Sequence, residues 1–256
     1  MSFGICPLAI IPVRREPEEK SEMVTQLLFG EGFEILERTL KWMKIQTIYD
    51  SYIGWVDSKT IQPASYSDID EEENVFCCSD INAIVKTSSG NQYITLGSTL
   101  PYLKNKKGKL GNEEFSFQGV ALNSNLLERT DQNIQMMAEK FLNAPYLWGG
   151  RTIWGIDCSG FTQIVFKMFG IKLKRDAFQQ AEQGILINFV DEARTGDLAF
   201  FKNDEGRIVH VGMIVSKNRI IHSSGKVRVD HFDHFGIYNS EKKNYSHQLR
   251  FIKRIL

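Results

Sequence analysis

The sequence predicts an α+β protein: two small β-barrels, then one domain whose helices precede its sheet. Three observations carry this. Residues 1–122 contain many short strand-like runs separated by Gly and Asp turns, with few helical patterns. Residues 124–143 change to a helical period, with Thr130 as a cap and Ile134, Met137, Ala138, Phe141 and Leu142 on one face. From Gly196 to Phe251 strand patterns return.

The elements follow in order. The apolar N-terminus has two prolines and no basic start, so it is read as a first strand and not as a secretory leader. Residues 9–14, 23–32, 33–37, 42–47 and 52–56 then supply the strands of a first barrel over 1–62. The acidic run 68–73 is expected to be a solvated linker. It opens the segment 63–122, where residues 82–85, 92–96 and 115–120 suggest a second barrel. The basic run 104–109 is expected at a hairpin tip. It lacks the interleaved aromatics of a nucleic-acid surface. Residues 123–256 form the third domain, in which a short helix is expected at 176–181 before Gly184.

Composition excludes several classes. Lys+Arg and Asp+Glu both number 31, so no basic excess points to nucleic acid or a membrane surface. No apolar run approaches the roughly 18 residues of a membrane span. The four cysteines, Cys6, Cys77, Cys78 and Cys158, match no disulfide or zinc framework. The first three are expected to be small buried hydrophobes, in a reducing compartment. A cytoplasmic monomer without a cofactor is expected, or a periplasmic or secreted one if a leader has been removed.

Chemistry concentrates around Cys158. A Gly/Trp-rich turn, residues 146–157, delivers this cysteine to an apolar-periodic segment with Phe161, Ile164, Val165 and Met168 at helical spacing. Gly170 stands where that helix would stop. At a helix start the unpaired N–H groups favour a thiolate. Residues 208–215 and 219–224 read as two strands joined by a short turn at Lys217-Asn218, each carrying one histidine. Pairing Val215 with Arg219 or Ile220 places His210 and His222 roughly across from each other. A cysteine, a base and a group that orients the base are the parts of a thiol nucleophile. His210 would form a thiolate–imidazolium pair with Cys158 and later give its proton to the leaving amine, and His222 would orient the His210 ring. His231 and His234, with Asp230 and Asp233 nearby, have a conceivable metal spacing but no cysteine partners, so no metal is assigned.

The blocks Asp157-Cys158-Ser159-Gly160, Gly196-Asp197-Leu198-Ala199-Phe200-Phe201, His210-Val211-Gly212 and His222-Ser223, in this order, resemble the NlpC/P60 cysteine peptidases over residues 124–256. That family consists of papain-like enzymes that cut bacterial cell-wall peptides. Val13-Arg14-Arg15-Glu16-Pro17, Phe29-Gly30-Glu31-Gly32-Phe33 and Tyr52-Ile53-Gly54-Trp55-Val56 resemble bacterial SH3-like (SH3b) domains over 9–57. The resemblance implies that Tyr146 and the Cys158 N–H hold the oxyanion. In the subgroup with N-terminal SH3b domains it implies cleavage of the γ-D-Glu–L-diamino acid bond in murein peptides with a free N-terminal L-Ala, in peptide recycling. Asp176 would then bind the free amine, while Glu22 and Tyr52 of the first barrel would close the substrate pocket. Trp148 and Ser159 are taken as further substrate-binding residues. Ala177 departs from the pattern, since many relatives carry serine there. A secreted wall hydrolase anchored by its SH3b domains, a non-catalytic peptidoglycan-binding module and a transacylase on the same scaffold are the alternatives.

Overall fold

Strands dominate the computed structural model, which describes residues 2–70 and 75–255. The chain divides into two units. One comprises residues 1–127 with 148–153 and 167–172; the other comprises 128–147, 154–166 and 173–256.

In the first unit, seven strands make one antiparallel sheet: β1 (Ser2–Ile5), β2 (Ile10–Arg14), β3 (Met23–Leu28), β4 (Gly32–Arg38), β5 (Trp42–Thr47), β6 (Ile53–Asp57) and β7 (Gln62–Ala64). Their order is β3-β2-β6-β5-β4-β1-β7. Period-two alternation turns Ile11, Val13, Val24, Leu27, Phe33, Ile45 and Val56 into a common core, against which Tyr52 packs. The expected strands of this barrel are all present. The N-terminal apolar run is two strands, not one.

The second half of this unit departs from expectation. Strands β8 (Phe76–Cys78), β9 (Ala83–Thr87), β10 (Gly90–Ile94), β11 (Lys107–Leu110), β12 (Glu113–Gln118) and β13 (Ala121–Asn123) form a four-stranded sheet, β10-β9-β12-β11, and a separate β13-β8 pair. Its core is not its own: Val85, Ile94, Leu100 and Phe117 cluster with Ile5 of β1 and with Phe29, in the turn after β3. The expected solvated linker is corrected likewise. Ile69 belongs to that cluster and is 3% exposed, and Asp68 accepts hydrogen bonds from the Ser65 N–H and hydroxyl. Glu71, Glu72 and Glu73 lie outside the described residues. The basic run is half tip, half strand: Asn105 and Lys106 turn with positive φ, and Lys107 begins β11.

One buried ion cluster ties distant segments of this unit. The Glu31 carboxylate accepts from Arg151 at 2.6 and 3.0 Å and from Lys167 at 2.6 Å. Cys6, Cys77 and Cys78 are buried, as expected, and are not joined in disulfides.

The second unit begins with α1 (Asp131–Glu139), where the Thr130 side chain accepts from the Asn133 N–H as a cap. Ile134, Met137, Ala138 and Phe141 are buried, whereas Leu142 lies past the helix end and is exposed. Strand β14 (Arg151–Thr152) is counted with the first unit; β15 (Gly155–Ile156), α2 (Cys158–Lys167, its last residue counted with the first unit) and α3 (Ala177–Gln180) follow. The remainder is a sheet of β16 (Ile185–Ile187), β17 (Leu198–Lys202), β18 (Ile208–Ser216), β19 (Arg219–Ser224), β20 (Lys226–Phe232), β21 (Gly236–Asn239) and β22 (Asn244–Arg254). The order β22-β17-β18-β19-β20-β21 closes through a β21–β22 pairing, so six strands form a barrel and β16 adds to β22 outside it. Ala199, Phe201, Ile214, Ile220, Phe232, Ile237 and Ile252 fill its core. Among the described residues, no helix is long and apolar enough to cross a membrane.

Candidate active site

Asp157 explains why α2 begins where it does. Its carboxylate accepts from the Gly160 N–H at 2.6 Å, and its carbonyl accepts from the Phe161 N–H. Cys158 is therefore the first helical residue, 7% exposed. Its sulfur lies within hydrogen-bonding reach of the Val211 and Ser159 N–H groups, which places it beside β18 next to His210.

The expected resting thiolate is corrected. Burial pushes the Cys158 thiol up to about 12, and the Asp157 carboxylate acts in the same direction. These outweigh the two N–H groups and Arg175. Burial also holds His210 well below its ordinary range, reinforced by His222 and His247. Thiol and imidazole therefore rest neutral.

The histidines do meet, although not as opposite residues. Met213 pairs with Ile221 and Ile214 with Ile220, while Ser216 pairs with Arg219 across an irregularity at Val215. His222 thus falls one step beyond Ile221, alongside Gly212, and His210 lies diagonally, two residues further on the same face. A Cβ on Gly212 would meet the His222 Cβ at 2.9 Å and the Ile220 Cδ1 at 2.8 Å. Glycine lets the two strands approach closely enough for the rings to bond. His210 Nε2 and His222 Nδ1 are 2.9 Å apart, and His222 Nε2 is 3.0 Å from Asp230 Oδ2.

Asp230 settles which nitrogens carry protons. Burial alone would raise its carboxyl, but hydrogen bonds from His222 and Arg228 hold it below the usual range, so it is ionised and can only accept. His222 then donates from Nε2, and its Nδ1 accepts from His210 Nε2–H. The remaining His210 nitrogen, Nδ1, carries a lone pair. Sequence reasoning had placed Asp230 near a conceivable metal site with His231 and His234. Instead it orients His222, and Asp233 accepts from the Tyr245 hydroxyl at 2.6 Å. The signal was present: along β20, Asp230 shares the inward phase of Phe232.

Three more residues escaped the sequence reading, two of them buried. Arg175, 1% exposed, forms a paired contact with Asp157 at 2.6 and 3.1 Å and donates to the Ser159 hydroxyl at 2.9 Å. Gln180, fully buried, donates to the carbonyls of Ser159 and Lys174 and accepts from Thr162. His247 stacks on His210, with ring centroids 4.2 Å and planes 27° apart. It sits opposite Ile237 on β22, next to a register shift that no local pattern announces.

The other predicted residues are placed as follows. Tyr146 is 37% exposed; burial raises its phenol to about 12, with Cys158 and Asp157 acting in the same direction, so the hydroxyl keeps its proton and can donate. The Ser159 hydroxyl is taken up by Arg175 and Asp157. Asp176 is the residue before α3, half-buried, with its N–H donating to Gln179 Oε1. In the first unit, Trp148 is exposed and its indole N–H donates to Glu22 Oε1 at 2.6 Å. Arg15, then Trp148, holds the Glu22 carboxyl below its ordinary value. Gly149 follows Trp148 with φ +75°, and its Cβ position is only 2.3 Å from the Met23 carbonyl oxygen, so only glycine fits. Tyr52 faces the first core.

The buried thiol at a helix start, the two hydrogen-bonded histidines and the carboxylate behind them supply the nucleophile, base and orienting groups of a cysteine peptidase. A family model described as "NlpC/P60 family" matches residues 143–249, and one described as "Bacterial dipeptidyl-peptidase Sh3 domain" matches 13–61. Gamma-D-glutamyl-L-lysine dipeptidyl-peptidase of Bacillus subtilis is 31% identical over 215 residues, covering 78% of this chain and 71% of that protein. The protein of the same name from Bacillus cereus is 25% identical over 229 residues, covering 79% and 68%. The crystal structure of an NlpC/P60 family protein from Bacillus cereus superposes with a TM-score of 0.85 at 18% identity, covering 99% of both chains, a likeness of fold. The chain belongs to the NlpC/P60 family.

Proposed function

We propose that this cysteine peptidase cleaves cell-wall peptides at the γ-D-Glu–L-diamino acid bond, acting on fragments with a free N-terminal L-Ala, as a recycler of released peptides. The observation that carries the chemistry is the proton order imposed by Asp230, which leaves His210 Nδ1 as the base. The choice of bond is supported by the likeness to the two Bacillus gamma-D-glutamyl-L-lysine dipeptidyl-peptidases.

The steps follow from the groups present. His210 Nδ1 takes the Cys158 proton as the sulfur attacks the amide carbonyl carbon. Because both groups rest neutral, transfer accompanies attack. The Cys158 N–H and the Tyr146 hydroxyl donate to the oxyanion. On collapse, the His210 imidazolium gives its proton to the leaving amine, and the acyl group stays on sulfur as a thioester. Water, deprotonated by His210, then adds to the thioester and releases the acid and the thiol. Asp230, through His222, stabilises the imidazolium at each stage.

The free amine is assigned to the Asp176 carboxylate, which would pair with an ammonium. Glu22, kept anionic by Arg15 and next to the exposed Trp148, is the anionic group the first unit offers; Tyr52 is the aromatic assigned with it. We read residues 63–122 as a second SH3b-like barrel, for which the four-stranded β10-β9-β12-β11 sheet is the support.

Mass spectrometry of products from L-Ala-γ-D-Glu-L-Lys tests the reaction, comparing wild type with Cys158→Ala. Release of L-Ala-γ-D-Glu by wild type alone is expected. The N-acetylated peptide should be cut far more slowly, and equal rates would sink the amine reading. Binding and cleavage of intact sacculi in preference to free peptide would favour a wall-anchored hydrolase.

A further inference from the structure

We infer that the three-histidine cluster His210–His222–His247 is a site for a borderline transition-metal ion, typified by Zn2+, that switches the peptidase off reversibly. That the ion inhibits rests on the peptidase reading above; that it binds does not.

The geometry is that of a collapsed ligand set. One ring nitrogen from each histidine lies within 4.8 Å of the other two, the one such group of three among the described residues. A tetrahedral zinc with Zn–N bonds of about 2.0–2.1 Å holds its nitrogens about 3.4 Å apart. The 2.9 Å between His210 Nε2 and His222 Nδ1 and the 4.8 Å upper limit bracket that separation. Adjustments of about an ångström are within the reach of side-chain torsions. The ring orientations suit convergence: His210 and His247 lie nearly parallel, and His222 stands at 86° and 83° to them.

The second layer is already built. His222 Nε2 bonds to Asp230, whose carboxylate Arg228 also holds at 2.7 Å. A histidine that binds metal through one nitrogen while donating the other to a carboxylate is the arrangement that orients metal ligands. Ser246 Oγ lies 2.8 Å from His247 Nδ1 and restrains that ring. Three imidazoles without thiolates suit Zn2+, Cu2+, Ni2+ or Co2+ better than Ca2+ or Mg2+. A fourth position is left for water.

Metal binding and catalysis would compete for the same nitrogens. An ion on His210 Nε2 needs the lone pair there, so the ring proton must sit on Nδ1, through solvent exchange. Nδ1 then cannot take the Cys158 proton, and the His210–His222 hydrogen bond is gone. His247, which has no part in the peptidase steps, is the residue that turns a catalytic pair into a chelating set.

The test uses Cys158→Ala, which removes the competing thiolate. Calorimetry with Zn2+ and visible absorption with Co2+ should show one bound ion in this variant, and His247→Gln in the same background should weaken it by roughly tenfold or more. Wild-type hydrolysis should be lost with Zn2+ and restored by chelator. If Co2+ binds wild type with a near-ultraviolet thiolate band and fails to bind Cys158→Ala, the ion sits on the cysteine and the proposal is overturned. Undiminished affinity in His247→Gln, or no binding at all, overturns it too. Should His247→Gln not fold, proton NMR of Co2+-loaded Cys158→Ala decides: three of the five histidines must be paramagnetically shifted, and any other set refutes the site. A chain that binds metal this way yet leaves the peptide uncut loses the peptidase reading alone.

Discussion

Arg175 grips Asp157 in a buried two-point ion pair, with Nη2–Oδ2 at 2.6 Å and Nη1–Oδ1 at 3.1 Å. Because Asp157 also caps the helix that starts at Cys158, this pair sets where the nucleophile stands. Arg175→Met leaves the buried carboxylate without its guanidinium, and should cost about 3–5 kcal/mol of stability. Arg175→Lys should not rescue it, since an ammonium cannot reproduce the paired contact. Denaturant unfolding of the three proteins checks both outcomes; a Lys variant as stable as wild type would refute the two-point role.

Gly212→Ala is expected to damage activity more than folding. Its new Cβ would press on the His222 Cβ and Ile220, prising β18 from β19 where the histidines bond. Overpacking of this kind costs about 1–3 kcal/mol. The variant should melt lower yet remain folded by circular dichroism, while kcat falls. Unchanged kcat would show that the strand spacing is not what positions His210.

Asp230→Asn tests the proton order. An amide can donate to His222 Nε2, which reverses both tautomers and leaves His210 Nδ1 protonated. Loss of a general base of this kind is worth roughly 10²–10⁴ in rate. The expected result is a fall in kcat with KM little changed. A variant with wild-type kcat would remove Asp230 from the mechanism.

Glu31 predicts an acid limit to stability in the first unit. Burial would raise its carboxyl, but Arg151 and Lys167 overcome this and hold it at about 2. A folded value below the unfolded one means the unfolded chain binds the proton more readily. The contribution is complete above the ordinary carboxyl value of 4.5 and is lost as pH falls from there towards 2. Urea midpoints between pH 6 and 3 should fall more steeply for wild type than for Glu31→Gln. The variant itself should be less stable at pH 7, with two buried cations deprived of their partner.

Much of this protein was legible in the chain itself. Period-two alternation located β4 and β5 within a residue or so, since a strand with one buried face would expose it on a one-residue slip, and the run read as 23–32 overran β3 by its glycine turn. Thr130 marked the start of α1, and the Cys158 turn marked the start of α2, because capping is local chemistry. Cys158, His210 and His222 were named from motif spacing, and the 31% identical relative agrees with the family that the spacing suggested.

What tertiary structure alone decided is which groups end up facing each other, and with what charge. Asp68 and Ile69 sit in an acidic, loop-like segment, yet packing against Ile5 and Phe29 buries Ile69. The helix-start argument for a Cys158 thiolate is sound locally, but desolvation by the surrounding fold outweighs it. Asp230 meets His222 because β20 pairs with β19 in the register Ile220–Asp230, and His247 meets His210 through the pairings of β22, which bring residues far apart in sequence together. Local composition determines strands, caps and the nucleophile; long-range register determines the proton order, because hydrogen bonds form between neighbours in space.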